Sequence, residues 1–160
     1  MPSIDGKVLA ALEDLGLPYE VIEIDPAFAD TAAFCEKYDY PPEKSANTII
    51  VASKKEPRKY CTCVVLATSR LDVNHRVKKL LGVSKASFAT AEEMMQLTGM
   101  LVGGVNPLAL PPDLPLYVDS RVVGLDWVIL GGGGRHLKIQ ISPEIFAKLG
   151  AEIVEELAKE

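Results

Sequence analysis

A pair of adjacent β-rich segments in the middle of the chain constrains its fold more than any other feature. Residues 44–53 (KSANTIIVAS) end in an almost continuous apolar run, which is typical of a strand buried on both faces. A polar turn containing Pro57 follows over residues 54–58, and Tyr60 to Thr68 form a second strongly predicted strand. Because only a short turn separates the two segments, they predict a β-hairpin.

Helices are predicted where apolar residues recur at helical spacing beside capping residues. Thr90 and Glu93 form a capping-box pattern that opens a helix ending near Gly99. The other predicted helices run from Ser3 to about Leu15, from Asp30 or Thr31 to about Tyr38, from Val73 to Leu81 after a cap at Asp72, from Ser142-Pro143-Glu144 onward, and from Ala151 to Lys159.

Short strands complete the predicted set of elements. They cover Tyr19–Ile24, Lys85–Phe88, Leu116–Asp119, Trp127–Leu130 and Leu137–Ile141, with glycines 131–134 forming the turn between the last two. Helices and strands do not alternate regularly, so a doubly wound fold is not expected. The sequence predicts one α/β (α+β) domain over residues 1–160, with a mixed multi-stranded sheet surrounded by helices.

The composition is that of a soluble globular protein. The chain has 160 residues, of which 48% are hydrophobic and 24% are charged. It contains no apolar run long enough to span a membrane, and its first residues lack the features of a signal peptide. Three cysteines, an odd number, argue against a disulfide framework. We therefore expect a cytoplasmic protein with no membrane contact.

Charge is distributed unevenly along the chain. Residues 1–43 hold two Lys/Arg and ten Asp/Glu, residues 44–88 hold ten and two, and residues 89–160 hold five and ten. The basic middle segment could form one positive face that attracts a polyanion. The alternative is that solvated lysines merely cluster on surface helices and turns.

Several motifs point away from familiar catalytic sites. The glycines 131–134 lack the Lys-Ser/Thr of a phosphate-binding loop and lead into a strand, and no Gly-x-Ser-x-Gly motif is present. His75 and His136 have no neighbours at metal-ligand spacing. Cys61 and Cys63 share one strand face and are interpreted as small buried residues. The sequence predicts no metal or cofactor, and any catalysis would rely on backbone donors and positioning.

The loop Gly103-Gly104-Val105-Asn106-Pro107 lies ahead of the predicted strand Leu116–Asp119. Glycine lets backbone approach a ligand closely, and proline stiffens the end of the loop. Such a loop can present backbone N–H groups to a substrate. It can equally be a plain connection between a helix and a strand.

Together, several of these segments resemble the YbaK/ProX family, free-standing relatives of the editing domain of bacterial prolyl-tRNA synthetase. The resemblance covers nearly the whole chain, and its segments are Asn47-Thr48-Ile49-Ile50-Val51, Gly103-Gly104-Val105-Asn106-Pro107, Leu114-Pro115-Leu116-Tyr117-Val118-Asp119, and the glycine turn 131–134 before Leu137-Lys138-Ile139. It implies the fold of that editing domain and a trans-editing aminoacyl-tRNA deacylase. Such an enzyme hydrolyses the ester of a tRNA mischarged with a small amino acid, for example cysteine or alanine on the tRNA for proline, without a metal, cofactor or covalent intermediate.

The resemblance also implies site residues and partners. Asn47, Gly103 and Gly104 would be catalytic. The implied substrate-binding residues are Lys44, Thr48, Val105, Asn106, Pro107, Asp119, Gly132, Gly133 and His136, and the implied tRNA-binding residues are Lys54, Lys55, Arg58, Arg76 and Lys79. The aminoacylated 3′ end of a tRNA is the expected partner, an aminoacyl-tRNA synthetase is a second candidate, and the oligomeric state is left open.

One position departs from the family pattern. Family members with editing activity carry a lysine immediately before the threonine of the Asn47-Thr48 strand, and an asparagine cannot supply its positive charge. Lys44 lies three residues upstream, an odd offset that would point it to the opposite strand face. An alternative function is therefore a catalytically altered or inactive member that binds tRNA, an aminoacyl-adenosine or a protein. A general nucleic-acid binder is disfavoured by the net charge of −5.

Overall fold

The structure, a computed structural model, describes residues 4–101 and 104–159 of the chain. Its helices are α1 (Ile4–Leu15), α2 (Thr31–Tyr38), α3 (Lys78–Leu81), α4 (Ala91–Thr98), α5 (Ser120–Val123) and α6 (Glu144–Lys148). Its strands are β1 (Tyr19–Glu23), β2 (Ala46–Ser53), β3 (Tyr60–Leu66), β4 (Arg70–Leu71), β5 (Ala86–Phe88), β6 (Leu116–Asp119), β7 (Val128–Gly131), β8 (Leu137–Ile141), β9 (Glu152–Val154) and β10 (Ala158–Lys159). Short 3₁₀ turns cover Pro26–Phe28 and Pro42–Lys44.

The predicted hairpin is confirmed and forms the middle of a five-stranded sheet. β2 pairs antiparallel with β3 over seven residue pairs, with Thr48 opposite Val64 and Val51 opposite Cys61. The strand order is β5-β2-β3-β6-β9, in which β5 is antiparallel to β2 while β6 and β9 run parallel to their neighbours. The sheet is therefore mixed, as the sequence predicts.

A second sheet lies against the start of β2. β8 is its central strand and pairs antiparallel with both β1 and β7. Ser45, just before β2, forms an isolated parallel bridge with Ile129 in β7. This bridge joins the two larger sheets, and the candidate site lies beside it. A further two-stranded ribbon, β10 with β4, completes the pairing among the described residues.

Three apolar clusters among the described residues hold these layers together. The largest joins α1 and α6 to both sheets and includes Val8, Leu12 and Phe146, all fully buried. A second cluster covers the other face of the five-stranded sheet, and the third packs α2 against the three-stranded sheet through Phe34 and Ile129. Burial of this apolar surface is the main stabilising contribution, and it fixes the position of α2 over β8.

Cys61 and Cys63 are buried, as their interpretation as small buried residues predicts. Cys61 and Cys63 both lie within the second apolar cluster, with their sulfur atoms 3.8 Å apart. All three cysteines are free thiols. The capping box at the start of α4 is also confirmed, because Thr90 and Glu93 exchange side-chain-to-backbone hydrogen bonds. No helix of the described residues is both long enough and apolar enough to cross a membrane.

The helix predicted over Ala151–Lys159 is wrong. The segment instead forms β9 and β10, joined by a turn in which Glu156 has a φ of +55°. Val154 is buried while its neighbour Ile153 is 45% exposed, which is the alternation of a strand. Strand pairing is favoured here because the edge of β6 offers backbone groups that a helix would leave unpaired.

A smaller difference concerns the helix predicted over Val73–Leu81. Residues Val73–Val77 form a π-helical turn, and only the last four residues, α3, are α-helical. The wider turn begins at Asp72, whose backbone oxygen accepts a hydrogen bond from Val77, five residues later. The carboxylate of Asp72 also accepts a hydrogen bond from the backbone N–H of His75.

Asp119 ties the C-terminal strands to the five-stranded sheet. It is 1% exposed, and its carboxylate accepts hydrogen bonds from the backbone N–H groups of Arg121 and Ala158, each at 2.9 Å. We predict that Asp119→Ala lowers the free energy of unfolding by about 3 kcal/mol, because it leaves these donors unpaired in the interior. Urea denaturation would measure the loss. Asp113→Ala, which alters an exposed carboxylate, should change stability by less than about 0.5 kcal/mol, and equal effects of the two would contradict the assignment.

Candidate functional site

A cavity of about 430 Å³ lies where the two larger sheets meet. The start of β2, the beginning of α2, the end of β7, the middle of β8 and the loop before β6 all contribute to its walls. The lining residues are Asp30, Thr31, Ala32, Pro42, Ala46, Asn47, Thr48, Ile49, Ala67, Met94, Val105, Gly131 and Lys138. Its volume lies within the range of small-molecule sites, and its mostly apolar lining with a few polar groups is typical of them.

Asn47 and Thr48 bring polar groups into this cavity from the start of β2. The hydroxyl of Thr31, the first residue of α2, donates a 2.6 Å hydrogen bond to Oδ1 of Asn47. This bond orients the amide and presents its Nδ2 group as a donor. Oγ1 of Thr48 is buried and has no hydrogen-bond partner among the described residues. A buried hydroxyl of this kind is costly unless a ligand or water satisfies it.

Lys138 is a buried cation on another wall. It is 3% exposed and lies in β8, and its Nζ is 5.5 Å from the centroid of the Phe34 ring. Burial lowers the pKa of Lys138 from 10.5 to about 8, against the opposing effects of the Asp30 carboxylate and the Cys35 thiol. The nearby Arg135 guanidinium lowers the pKa of Lys138 further.

The loop before β6 is packed against the glycine turn after β7, backbone to backbone. The N–H of Gly133 donates a 2.6 Å hydrogen bond to the oxygen of Gly104, and Leu101 donates one of 2.9 Å to the oxygen of Gly133. A Cβ on Gly104 would lie 2.0 Å from the oxygen of Gly134, and one on Gly131 would lie 2.6 Å from the carbonyl carbon of Gly104. Only glycines permit this approach.

Asn106 fastens the same loop to β7. It is fully buried, its Nδ2 donates to the oxygen of Gly131 at 2.8 Å, and its Oδ1 accepts from the N–H of Leu108 at 2.9 Å. Asn106 and Pro107 are not among the cavity residues, whereas Val105 is. Within this loop, therefore, Val105 faces the cavity and the Asn106 side chain holds the loop in place.

Of the two glycines predicted to be catalytic, the structure describes only Gly104. Gly103 lies outside the described residues. Gly104 contacts the glycine turn, and its N–H donates a 2.8 Å hydrogen bond to the oxygen of Leu101 within the loop itself. That N–H is therefore engaged in the turn.

Lys44, Asp119 and His136 do not line the cavity. The Nζ of Lys44 pairs with the Asp126 carboxylate and lies 4.7 Å from the Trp127 ring. Asp119 has the structural contacts given above. His136 is exposed, and its backbone oxygen accepts a hydrogen bond from Ile24.

The remaining predicted glycines shape the turn. A Cβ on Gly132 would lie 2.6 Å from Leu137, and Gly133 has a φ of +102° that favours glycine. Neither is a cavity residue, although both belong to the turn that positions Gly104.

The predicted tRNA-binding residues fall into two groups. Lys54, Lys55 and Arg58 lie in and beside the turn between β2 and β3, where Arg58 forms an ion pair with Glu93 at 2.7 Å. The second group, Arg76 and Lys79, borders a cleft that also contains acidic side chains, namely Asp72, Glu155 and Glu156. Within the described ranges, no group of three or more His, Cys, Asp or Glu side chains could hold a metal ion.

Sequence reasoning missed Thr31, Asp30 and Lys138 as cavity residues. Thr31 and Asp30 were predicted only as alternative caps of α2. Lys138 alternates with Leu137 and Ile139 in its strand, a pattern that normally places a lysine in solvent. The signal that would have identified it is the packing of α2 over that face of β8, which is a tertiary contact.

Residues 25–149 match the family model of the aminoacyl-tRNA editing domain. Over 107 residues the chain is 27% identical to the proline–tRNA ligase of Paraburkholderia phymatum, an alignment that covers 66% of this chain and 18% of the ligase. It is 23% identical over 129 residues to the corresponding ligase of Burkholderia cenocepacia, covering 79% of this chain and 22% of the ligase. The aligned part thus spans about a fifth of the length of these ligases.

Two solved structures resemble the chain over nearly its full length. The crystal structure of a hypothetical protein has a TM-score of 0.83 at 27% identity and covers 96% of this chain and 99% of its own. A protein described as a proposed trans-editing enzyme for prolyl tRNA synthetase has a TM-score of 0.82 at 25% identity and covers 100% and 99%. These similarities extend across both larger sheets and the site between them.

The close approach of Gly104 to the glycine turn makes a direct prediction. Gly104→Ala should lower the free energy of unfolding by about 3 kcal/mol, because its methyl group would overlap the backbone of Gly134 and force the loop away. Gly124→Ala is the matched control, since its Cβ would meet nothing nearer than 3.6 Å. Urea denaturation of both variants would measure the difference, and a Gly104→Ala protein as stable as Gly124→Ala would contradict the packing.

The burial of Lys138 makes stability depend on pH. Because its pKa is lower in the folded than in the unfolded chain, the folded state binds fewer protons between about pH 8 and 10.5, and stability rises with pH in that window. Relative to Lys138→Met, we expect the native protein to gain about 2 kcal/mol between pH 7 and 9.5. Denaturation of both proteins at the two pH values would measure this, and a constant difference would contradict the shift.

Proposed function

The chain belongs to the aminoacyl-tRNA editing domain family, and on this premise we propose that it is a trans-editing deacylase that hydrolyses the ester of a tRNA mischarged with a small amino acid. Cysteine or alanine on the tRNA for proline is the proposed substrate. We propose that residues 1–160 act as one such domain, in the cytoplasm where tRNA is charged. The observation that supports this most is the shared cavity, where the neighbouring residues Asn47 and Thr48 meet Val105, which is far from them in sequence.

The cavity suits a small aminoacyl group. Several of its apolar wall residues are short, namely Ala32, Ala46, Ala67 and Val105. Apolar walls of this kind accept a methyl or thiol group and discriminate weakly among small side chains, by roughly 10- to 200-fold per methylene. The proposed substrate class is therefore defined by size.

Asn47 and Thr48 are the proposed polar contacts of the ester. The amide of Asn47, oriented by the Thr31 hydroxyl, donates to the ester or to the terminal ribose. The buried hydroxyl of Thr48 gains a partner when substrate binds. Because the Gly104 N–H is engaged by Leu101, these side chains take the donor role that the sequence assigns to the loop backbone.

The tRNA body is proposed to dock through the basic middle segment. Lys54, Lys55 and Arg58 form one cluster of cations and Arg76 with Lys79 a second, and both would contact phosphates without reading sequence. The curated relatives are proline–tRNA ligases, which supports a synthetase for proline as the source of the mischarged tRNA.

A second candidate function is a binding module that holds charged tRNA without turnover. Asn47 favours it, because this position holds a neutral amide where family members with editing activity have a lysine. The Thr31 hydrogen bond would then serve recognition of the aminoacyl-adenosine end.

A deacylation assay separates the two functions. We expect the native protein to hydrolyse Cys- or Ala-tRNA for proline faster than spontaneous ester hydrolysis, and Asn47→Ala to lower kcat/KM by about 100-fold through loss of a positioned donor. Gln96→Ala, which alters an exposed amide in α4, should keep the native rate.

Other outcomes would redirect the proposal. Native activity in Asn47→Ala would remove Asn47 from the chemistry. A native protein that binds charged tRNA without hydrolysing it, while Asn47→Lys turns it over, would instead support the binding module.

A further inference from the structure

Lys138 supplies positive charge to a cavity whose other polar side chains are neutral or acidic. Among the described lining residues it is the cationic one, beside the amide of Asn47, the hydroxyls of Thr31 and Thr48, and the carboxylate of Asp30. A lysine is seldom buried to this extent unless its charge has a partner. Its position follows from the packing of α2 against β8, where Phe34 contacts the ammonium group.

Lys138 also lies beside the loop that bounds the cavity. In the register of β7 and β8 it is directly opposite Gly131, the residue whose Cβ would collide with the carbonyl group of Gly104. Lys138 and the backbone of Gly104 are therefore both neighbours of Gly131 in β7. Val105, the next residue of the loop, lines the cavity together with Lys138.

The charged and titratable groups around Lys138 come from two other elements. Asp30 at the start of α2 and Cys35 within α2 favour the charged form of Lys138, whereas Arg135, in the turn before β8, opposes it. Asp30 is itself paired with Arg135 at 3.4 Å. With a pKa of about 8, Lys138 is mainly an ammonium group at neutral pH and loses its proton in mildly basic solution.

We propose that Lys138 is a catalytic residue of this cavity, whose ammonium group donates a hydrogen bond to the carbonyl oxygen of the scissile ester and stabilises the negative charge that develops there. This assignment rests on the proposed deacylase function. Asn47 can orient the ester but, as a neutral amide, cannot neutralise that charge. A cation in a site of low dielectric does so strongly.

The reaction balances with water as the only co-reactant. The water oxygen adds to the carbonyl carbon, and the electron pair of the C=O bond moves to the oxygen beside Lys138. When the intermediate collapses, the C=O bond reforms and the bond to the ribose oxygen breaks. The ribose oxygen receives the proton released by the attacking water, so that a free amino acid and a ribose hydroxyl are formed and Lys138 ends in its starting state.

The test compares the pH dependence of the native protein with that of three variants. Lys138→Met removes the charge at similar length, Lys138→Arg keeps a cation at higher pKa, and Lys148→Met is the matched control at an exposed lysine of α6. Single-turnover hydrolysis of Ala-tRNA for proline would be followed from pH 6 to 9.5, with spontaneous hydrolysis subtracted.

We expect Lys138→Met to be about 100-fold slower than the native protein at pH 7, as for loss of one donor to an oxyanion. The native rate should fall above about pH 8, and the rate of Lys148→Met should fall with it. Lys138→Arg should keep part of the activity and show no fall up to pH 9.5. Far-ultraviolet circular dichroism would establish that each variant is folded, and the native profile tests the assignment without any variant.

Three outcomes would overturn the assignment. Lys138→Met with the native rate and pH profile would remove Lys138 and leave the deacylase function intact. A native rate that rises through pH 8 would show that Lys138 acts as a base in its neutral form, not as the proposed cation. Absence of turnover by the native protein would overturn the deacylase function and this role together.

Discussion

The site depends on one constraint, the direct contact between the backbones of Gly104 and the glycine turn that follows β7. With no side chain on either partner, the N–H of Gly133 reaches the oxygen of Gly104 at 2.6 Å. Asn106 adds a buried side-chain bridge to the oxygen of Gly131. These contacts set how far the loop lies from β7, and that distance decides whether Val105 can line the cavity. Glycine and asparagine at these positions are thus structural requirements of the binding wall.

Two different walls of the cavity provide an oriented polar group and a positive charge. On one wall, Thr31 fixes the amide of Asn47 through a hydrogen bond that draws on no charged group. On another, Lys138 lies against Phe34, and burial lowers its pKa toward neutrality. Such a cation opposes folding at neutral pH, since its charged form is poorly solvated. A fold retains a cost of this kind most readily where a functional site needs it, which is why perturbed groups in clefts are informative.

The sequence predicts those elements that are determined by residues close together in the chain. The central hairpin, the capping box of α4 and the turn after β7 all follow from residues close together in the chain. The structure of the C-terminal segment was not predicted, because Val154 and Leu157 fit a helical pattern. Strands form there instead because the edge of β6 and the carboxylate of Asp119 bind their backbone groups. The family resemblance named Asn47, Thr48 and Val105, which line the cavity. It could not locate Lys138, whose burial depends on α2 packing over β8 from more than 100 residues away.

The pairing of β9 with β6, and of β10 with β4, affects the order in which the chain folds during its synthesis. β6 is synthesised more than 30 residues before its parallel neighbour β9. The carboxylate of Asp119 likewise cannot accept its hydrogen bond from the backbone N–H of Ala158 until that residue has been made. Until then one side of the five-stranded sheet presents unpaired N–H and C=O groups, the kind of edge that recruits other chains. The growing polypeptide therefore leaves the β6 edge unpaired until β9 has been made, and the short strand β9 then forms that edge of the sheet.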